Sequence, residues 1–287
     1  MCVAVVKQVG AAVPSLDTLS ACWSHNPDGA GIGYDDNGKF VLHKGFMTWK
    51  HFERFYLKLG DLTDRQVFYH FRIATHGSVR PENTHPFPIW TDEEFQAAYE
   101  DLKKKNKKRK KEISVEDVQL SLLQTLHGRF DRVMMHNGIL PITPKLKDTS
   151  DSQELARRLS SFKDLRAALD LLEGFESGSK IAVWNKGSIR LLGEWEELDG
   201  VYYSNLYWTN RWCDDFWTTK QEKFLPSISK SKKRIPTVTE SDIINTYGVC
   251  PTCGVEFEDC NMDSNGAYCA WCDVDWKGNF SNGNHRQ

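Results

Sequence analysis

No run of apolar residues in this chain approaches the roughly 18 that a membrane span needs, and no charged stretch followed by an apolar core opens it as in a secretory leader. Both absences lead to the expectation of a soluble, cytoplasmic protein with no membrane partner. A strong charge of one sign is missing too: 37 Lys and Arg stand against 39 Asp and Glu, a net −2, so global charge argues neither for nor against nucleic acid. There is no internal repeat, which excludes a solenoid or propeller array.

What is present is enough to fold. At 287 residues, 40% of them apolar with 10 Trp, 15 Phe and 9 Tyr, the chain can build one large core and carry a small appendage. A stretch rich in Ser, Lys, Pro and Thr reads as a linker over 226–245, leaving domains at 1–225 and 246–287. Of eight cysteines, four form two C-x-x-C pairs near the end, a spacing that favours metal over disulfides in a reducing compartment.

Many strands flanked by several helices predict an α+β layout. After an apolar strand from Cys2 to Val6, Ser15 caps a helix through Trp23, and Asp36-Asn37-Gly38 turns a hairpin between Ile32–Tyr34 and Phe40–His43. Thr48 caps a helix bearing Phe52, Phe55, Tyr56 and Leu59, and a strand runs from Val67 to Gly77. Helices follow from Thr91, Ser114, Ser150 and near Leu165, and residues 132–140 read as strand, turn, strand. Lys180 to Gly193 forms a hairpin about Asn185-Lys186-Gly187, and 200–208 forms one more strand.

Cys2 is the residue the chain is built around. Trimming of Met1, which a small second residue permits, would leave an α-amine and a thiol on one residue, with ordinary pKa values of about 8 and 8.5. Such a residue is nucleophile and proton acceptor at once. Four polar clusters accompany it: Arg72-Ile73-Ala74-Thr75-His76-Gly77, His85-Pro86-Phe87, His136-Asn137-Gly138 and Ser150-Asp151-Ser152.

In their order and spacing these clusters resemble the class II glutamine amidotransferases, a branch of the N-terminal-nucleophile hydrolases, over roughly residues 2–208. The short glutaminase-like proteins of bacteriophages are the nearest likeness, through the turn Asn26-Pro27-Asp28-Gly29 and the segment His70 to Gly77. The resemblance implies a four-layer αββα sandwich and hydrolysis of glutamine to glutamate and ammonia through a Cys2 thioester, in the host cytoplasm if the chain is phage-encoded. Arg72 would hold the substrate carboxylate with Thr75 and His76 nearby, and Asp151 the ammonium. Asn137 and the backbone N–H of Gly138 would stabilise the oxyanion. His76 reads equally as site lining or turn support. Ile73 stands where the family often has an aromatic residue, and Val3 where it often has glycine.

Cys250, Cys253, Cys269 and Cys272, with 15 residues between the pairs, match a four-cysteine zinc ribbon holding a structural Zn²⁺. Eight basic residues in the nine positions Lys103 to Lys111, and Lys230-Ser231-Lys232-Lys233-Arg234 in the linker, are either solvated faces or phosphate contacts that, with the ribbon, suit nucleic acid. No ATP or acceptor domain is recognisable, so ammonia would pass to a separate synthetase or acceptor protein or be the product itself. The rival readings are a cysteine hydrolase of another amide and a non-catalytic nucleic-acid-binding protein.

Overall fold

The computed structural model describes residues 2–74, 78–107, 112–174 and 178–209 and, near the C-terminus, the strand residues 262–263, 266–269 and 274–275. The chain divides into two compact units, Met1–Arg211 and Trp212–Gln287.

The described residues of the first unit form a mixed α+β fold of two antiparallel sheets and six α-helices. Its strands are β1 (Val3–Lys7), β2 (Ala30–Asp36), β3 (Lys39–Phe46), β4 (Val67–Phe71), β5 (Phe87–Pro88), β6 (His127–Phe130), β7 (Arg132–Asn137), β8 (Lys180–Asn185), β9 (Ser188–Leu192), β10 (Glu196–Leu198) and β11 (Val201–Tyr203). The larger sheet has the order β10-β11-β1-β4-β2-β3-β6, and the smaller β5-β7-β8-β9. The helices are α1 (Leu16–His25), α2 (Trp49–Lys58), α3 (Asp92–Asn106), α4 (Val115–Leu123), α5 (Asp151–Ser160) and α6 (Leu165–Leu172).

Residues paired across strands share a face and successive residues alternate, so register fixes what each face meets. The pairs Val3–Phe71, Val5–Tyr69 and Ile32–Tyr69 put one face of the larger sheet toward α1 and α2. There Phe52 of α2 meets Phe71 at 5.3 Å between ring centroids, and Tyr56 meets Tyr69 at 6.1 Å. The opposite face carries Ala4, Val6, Phe40, Leu42 and Phe68, which share one buried cluster with Val133, Met135, Ala182 and Trp184 of the smaller sheet. Phe40 and Trp184 meet across the two sheets at 5.1 Å. Burying a large side chain of this kind contributes about 1.5–3 kcal/mol. On β7 the face away from the larger sheet turns His136 to Ser152 of α5.

Helix starts follow their expected caps. Ser15, Thr48, Thr91, Ser114 and Ser150 each accept a backbone N–H in the first turn, and the last three complete reciprocal capping boxes with Glu94, Asp117 and Gln153. The Asn37-Gly38 hairpin has both residues at positive φ, 55° and 78°, as that turn requires.

Two strands end earlier than expected and one expected strand is absent, each because a side chain takes over a backbone group. β4 stops at Phe71 rather than near Gly77: the Ala74 N–H is claimed by the Asp28 carboxylate at 2.8 Å. No strand follows β7, since the Leu140 N–H goes to Asp151 at 2.9 Å instead of a ladder partner. β11 covers only Val201–Tyr203; Asn205 then bonds the Cys2 carbonyl at 2.8 Å and the Tyr207 N–H at 3.3 Å, opening a short 3₁₀ turn. Strands β5, β6 and β10 have no alternating apolar pattern, β10 being exposed throughout, and were not foreseen.

In the second unit the described strands β12 (Met262–Asp263), β13 (Gly266–Cys269) and β14 (Val274–Asp275) form an antiparallel sheet in that order. No described helix is long and apolar enough to cross a membrane.

Candidate active site

Cys2 stands just ahead of β1, whose partner β4 runs antiparallel, so the start of β1 lies beside the end of β4. The register pairs Val3 with Phe71, which brings Cys2 against Arg72 and Ile73. The Cys2 thiol donates to the Ile73 carbonyl at 3.5 Å, and the Ile73 N–H donates to the sulfur at 3.4 Å. Burial pushes the Cys2 thiol up, while the Ile73 N–H and the Arg72 charge pull it down. Burial wins, so near neutral pH the sulfur carries its proton and needs an acceptor to become a nucleophile.

Arg72 is buried and donates through Nη1 to the Ser78 carbonyl at 3.1 Å. Its backbone is locked to the turn before β2: the Arg72 N–H reaches Gly29 O at 2.8 Å and the Asp28 N–H reaches Arg72 O at 3.0 Å. Burial lowers the Arg72 pKa, and the charges of Cys2 and Asp28 oppose that. Thr75 and His76 lie outside the described residues.

Asn137 ends β7 on the face turned toward the larger sheet and is buried. Its amide meets Ser204 Oγ at 2.8 Å, and the same oxygen accepts the Ala4 N–H at 2.9 Å. Cys2, Arg72 and Asn137 are thereby gathered at one end of the β1–β4 pair. Gly138 follows at φ 141°, and a Cβ there would lie 2.4 Å from Ser179 Oγ, so only glycine suits the position.

Asp151, the first residue of α5, is tied to the loop beyond Gly138 rather than directly to Cys2. Its two carboxylate oxygens accept from Leu140 N at 2.9 Å and Ser152 N at 2.8 Å. A carboxylate has about four acceptor positions, which leaves room for a further donor. The loop is held further by Glu154, which accepts the Lys145 N–H at 3.3 Å while Arg157 at 2.7 and 2.8 Å and Arg158 at 2.8 Å bond the same carboxylate from within α5; the Arg157 bonds come first in bringing its pKa down to about 2.

A layer of neutral imidazoles underlies this corner. His70 Nε2 donates to the His136 carbonyl at 3.1 Å, His136 Nδ1 is 2.9 Å from Ser152 Oγ, and the His85 ring lies tilted against His70 at 4.0 Å between centroids. Burial drives His70 down to about 3 and His136 to about 4, and pushes His85 well below its usual range. They therefore add no positive charge near pH 7.

Asp28, Ser204 and Asn205 are site-forming residues that the sequence reading passed over. Asp28 sits inside the Asn26-Pro27-Asp28-Gly29 turn, where a turn-forming residue is expected in any case, and Ser204-Asn205 is the polar pair that closes an apolar strand. Cys250, Cys253 and Cys272 lie outside the described residues, and Cys269 ends β13. Lys103, Lys104 and Lys105 lie in the last turn of α3, with Lys103 near Glu100 at 3.8 Å and Lys105 near Asp101 at 3.1 Å; Lys107 follows as its cap, and residues 108–111 are outside the described set. Comparison of the sequence with protein-family models and with curated proteins found no match.

Proposed function

We propose that this chain is a glutamine amidotransferase of the N-terminal-nucleophile type, releasing ammonia from the side chain of free glutamine. The observation that carries the reading is the convergence of Cys2, Arg72 and Asn137 where β1 begins and β4 and β7 end. Support for an αββα sandwich comes from the helices α1 and α2 on one side of the paired sheets and α5 on the other.

Removal of Met1 frees the Cys2 α-amine, which takes the thiol proton. The thiolate attacks the side-chain amide carbon, and the negative charge that develops on oxygen is met by Asn137 and the Gly138 N–H. Each such donor is worth about 2.7–4 kcal/mol of transition-state stabilisation. The amine returns its proton to the leaving nitrogen, ammonia departs, and water hydrolyses the thioester to glutamate. Arg72 binds the substrate carboxylate and Asp151 its ammonium, which selects a free amino acid over a peptide-bound one.

Ammonia is delivered to a separate synthetase or acceptor protein. The four thiolates of Cys250, Cys253, Cys269 and Cys272 suit a tetrahedral structural Zn²⁺ by donor chemistry, and the clustered Lys and Arg at 103–111 and 230–234 suit contact with nucleic-acid phosphates. The test is glutamate release from glutamine by wild type, Cys2→Ala and Cys2→Ser, with intact mass reporting Met1. Loss of turnover in the alanine variant is expected, and undiminished turnover sinks the reading. N-acylated glutamine turned over as well as glutamine would point to a hydrolase of another amide.

A further inference from the structure

We propose that Ser204 is a positioning residue that turns the Asn137 amide so that its NH₂ group faces the oxyanion, an inference that rests on the amidotransferase reading. With Asn137 Nδ2 at 2.8 Å and the Ala4 N–H at 2.9 Å, Ser204 Oγ would accept twice and its own proton would have no acceptor among the described residues. Asn137 Oδ1 would at the same time be buried with no partner there. A buried polar atom left in that state costs about 1–3 kcal/mol.

Exchanging the amide oxygen and nitrogen leaves every heavy-atom position unchanged and gives the Ser204 proton an acceptor. Ser204 then accepts from Ala4 and donates to Asn137 Oδ1. The NH₂ group takes the position that has no partner among the described residues, where an acceptor brought by the substrate would complete it. The hydroxyl is itself fixed, because Ser204 is buried and its N–H donates to the Ala4 carbonyl at 2.9 Å. Asn205, the next residue, holds the start of β1 through the Cys2 carbonyl at 2.8 Å. One serine thus ties the nucleophile's strand to the oxyanion donor, and sets both the amide's direction and its distance from Cys2.

The experiment compares wild type, Ser204→Ala, Ser204→Thr, Asn137→Ala and the Ser204→Ala/Asn137→Ala double variant. Two readouts are used: steady-state glutamine hydrolysis, and acylation of Cys2 by p-nitrophenyl acetate followed as a nitrophenolate burst. The ester needs the oxyanion donors but neither Arg72 nor Asp151. Ser204→Ala is expected to lower kcat and the burst rate about tenfold to hundredfold with glutamine KM within about twofold. Ser204→Thr, which keeps the hydroxyl, recovers most of the loss, and Ser204→Ala adds nothing once Asn137 is alanine. Losses that multiply in the double variant, a threonine variant as impaired as the alanine one, or an effect on KM alone would overturn the proposal. Wild type that is acylated by the ester but inert to glutamine removes the glutamine reading and leaves the ester arm to decide on Ser204. Wild type inert to both removes both.

Discussion

His70 on β4 donates through Nε2 to the backbone carbonyl of His136 on β7, at 3.1 Å, and this bond crosses between the two sheets. Arg72 lies two residues beyond the donor and Asn137 one beyond the acceptor, so the spacing of the substrate-binding corner is set by a hydrogen bond below it. Because the acceptor is a carbonyl, Nε2 must carry the proton.

Replacing His70 with Leu removes the donor and leaves a buried carbonyl unpaired. The expected loss of stability is about 1–3 kcal/mol, read as a shift in urea midpoint. His70→Gln, with an amide donor, should recover part of it. A leucine variant within about 0.5 kcal/mol of wild type would show that the bond does not hold the sheets.

Much of this corner was legible in the sequence, because it is written in local signals. The Asn37-Gly38 turn, the five Ser and Thr caps and the apolar run of β1 each specify their structure within a few residues. Strand ends were not legible, for the opposite reason. β4 ends where it does because Asp28, 46 positions away, takes the Ala74 N–H, and β11 because Asn205 reaches back 203 positions to Cys2. Asp151 shows the mixture: its place at a helix start is local, whereas its grip on Leu140 depends on how the loop closes.

Acid should unfold the protein from a higher pH than carboxylates alone would set. Burial holds His43 and His136 near 4, His70 near 3 and His85 well below its usual range. An unfolded histidine titrates near about 6.5, so the unfolded chain takes up these protons first. Stability is complete above that value and falls as pH drops from 6.5 toward the folded values. Glu154 adds a further loss as pH falls from its ordinary value of 4.5 toward about 2. The slope of unfolding free energy near pH 5 should correspond to uptake of roughly two or more protons, each worth about 1.36 kcal/mol per pH unit. A flat profile from pH 7 down to pH 5 would contradict the neutral imidazole layer.

Gly31 on β2 permits the loop bearing His85 to lie against the larger sheet. A Cβ at Gly31 would stand 2.7 Å from Lys44 Cβ and would collide with the His85 carbonyl. Neither neighbour can move freely, as Lys44 is pinned by Leu123 O at 2.9 Å and the Phe87 ring at 4.0 Å. Gly31→Ala should therefore cost at least the 1–3 kcal/mol typical of overpacking. Gly60→Ala, with open space around it but φ at 70°, should cost only about 1 kcal/mol. Equal melting temperatures for the two variants would refute the close approach.

The cysteine pairs make a prediction that is independent of the glutaminase site. Purified protein should carry one zinc per chain by elemental analysis, and Cys250→Ser should lose it while the Cys2 site remains reactive toward the ester. A full zinc complement in that variant would mean the metal is held elsewhere, and glutamine turnover abolished together with the zinc would mean that the two units do not work apart.

Asp28 joins the turn before β2 to the segment that follows Arg72, through its carboxylate on Ala74 N at 2.8 Å and its N–H on Arg72 O at 3.0 Å. Its charge also faces the Arg72 guanidinium. Two substitutions separate these roles. Asp28→Asn keeps an oxygen for Ala74 but removes the charge, whereas Asp28→Ala removes both. If the carboxylate serves mainly to hold Arg72's segment in place, the asparagine variant should keep glutamine KM within about threefold, while alanine raises it about tenfold or more, with kcat little changed in either. If the two variants raise KM equally, the charge on Arg72 is what matters, and if both lower kcat instead, Asp28 acts on Cys2 and not on the substrate carboxylate.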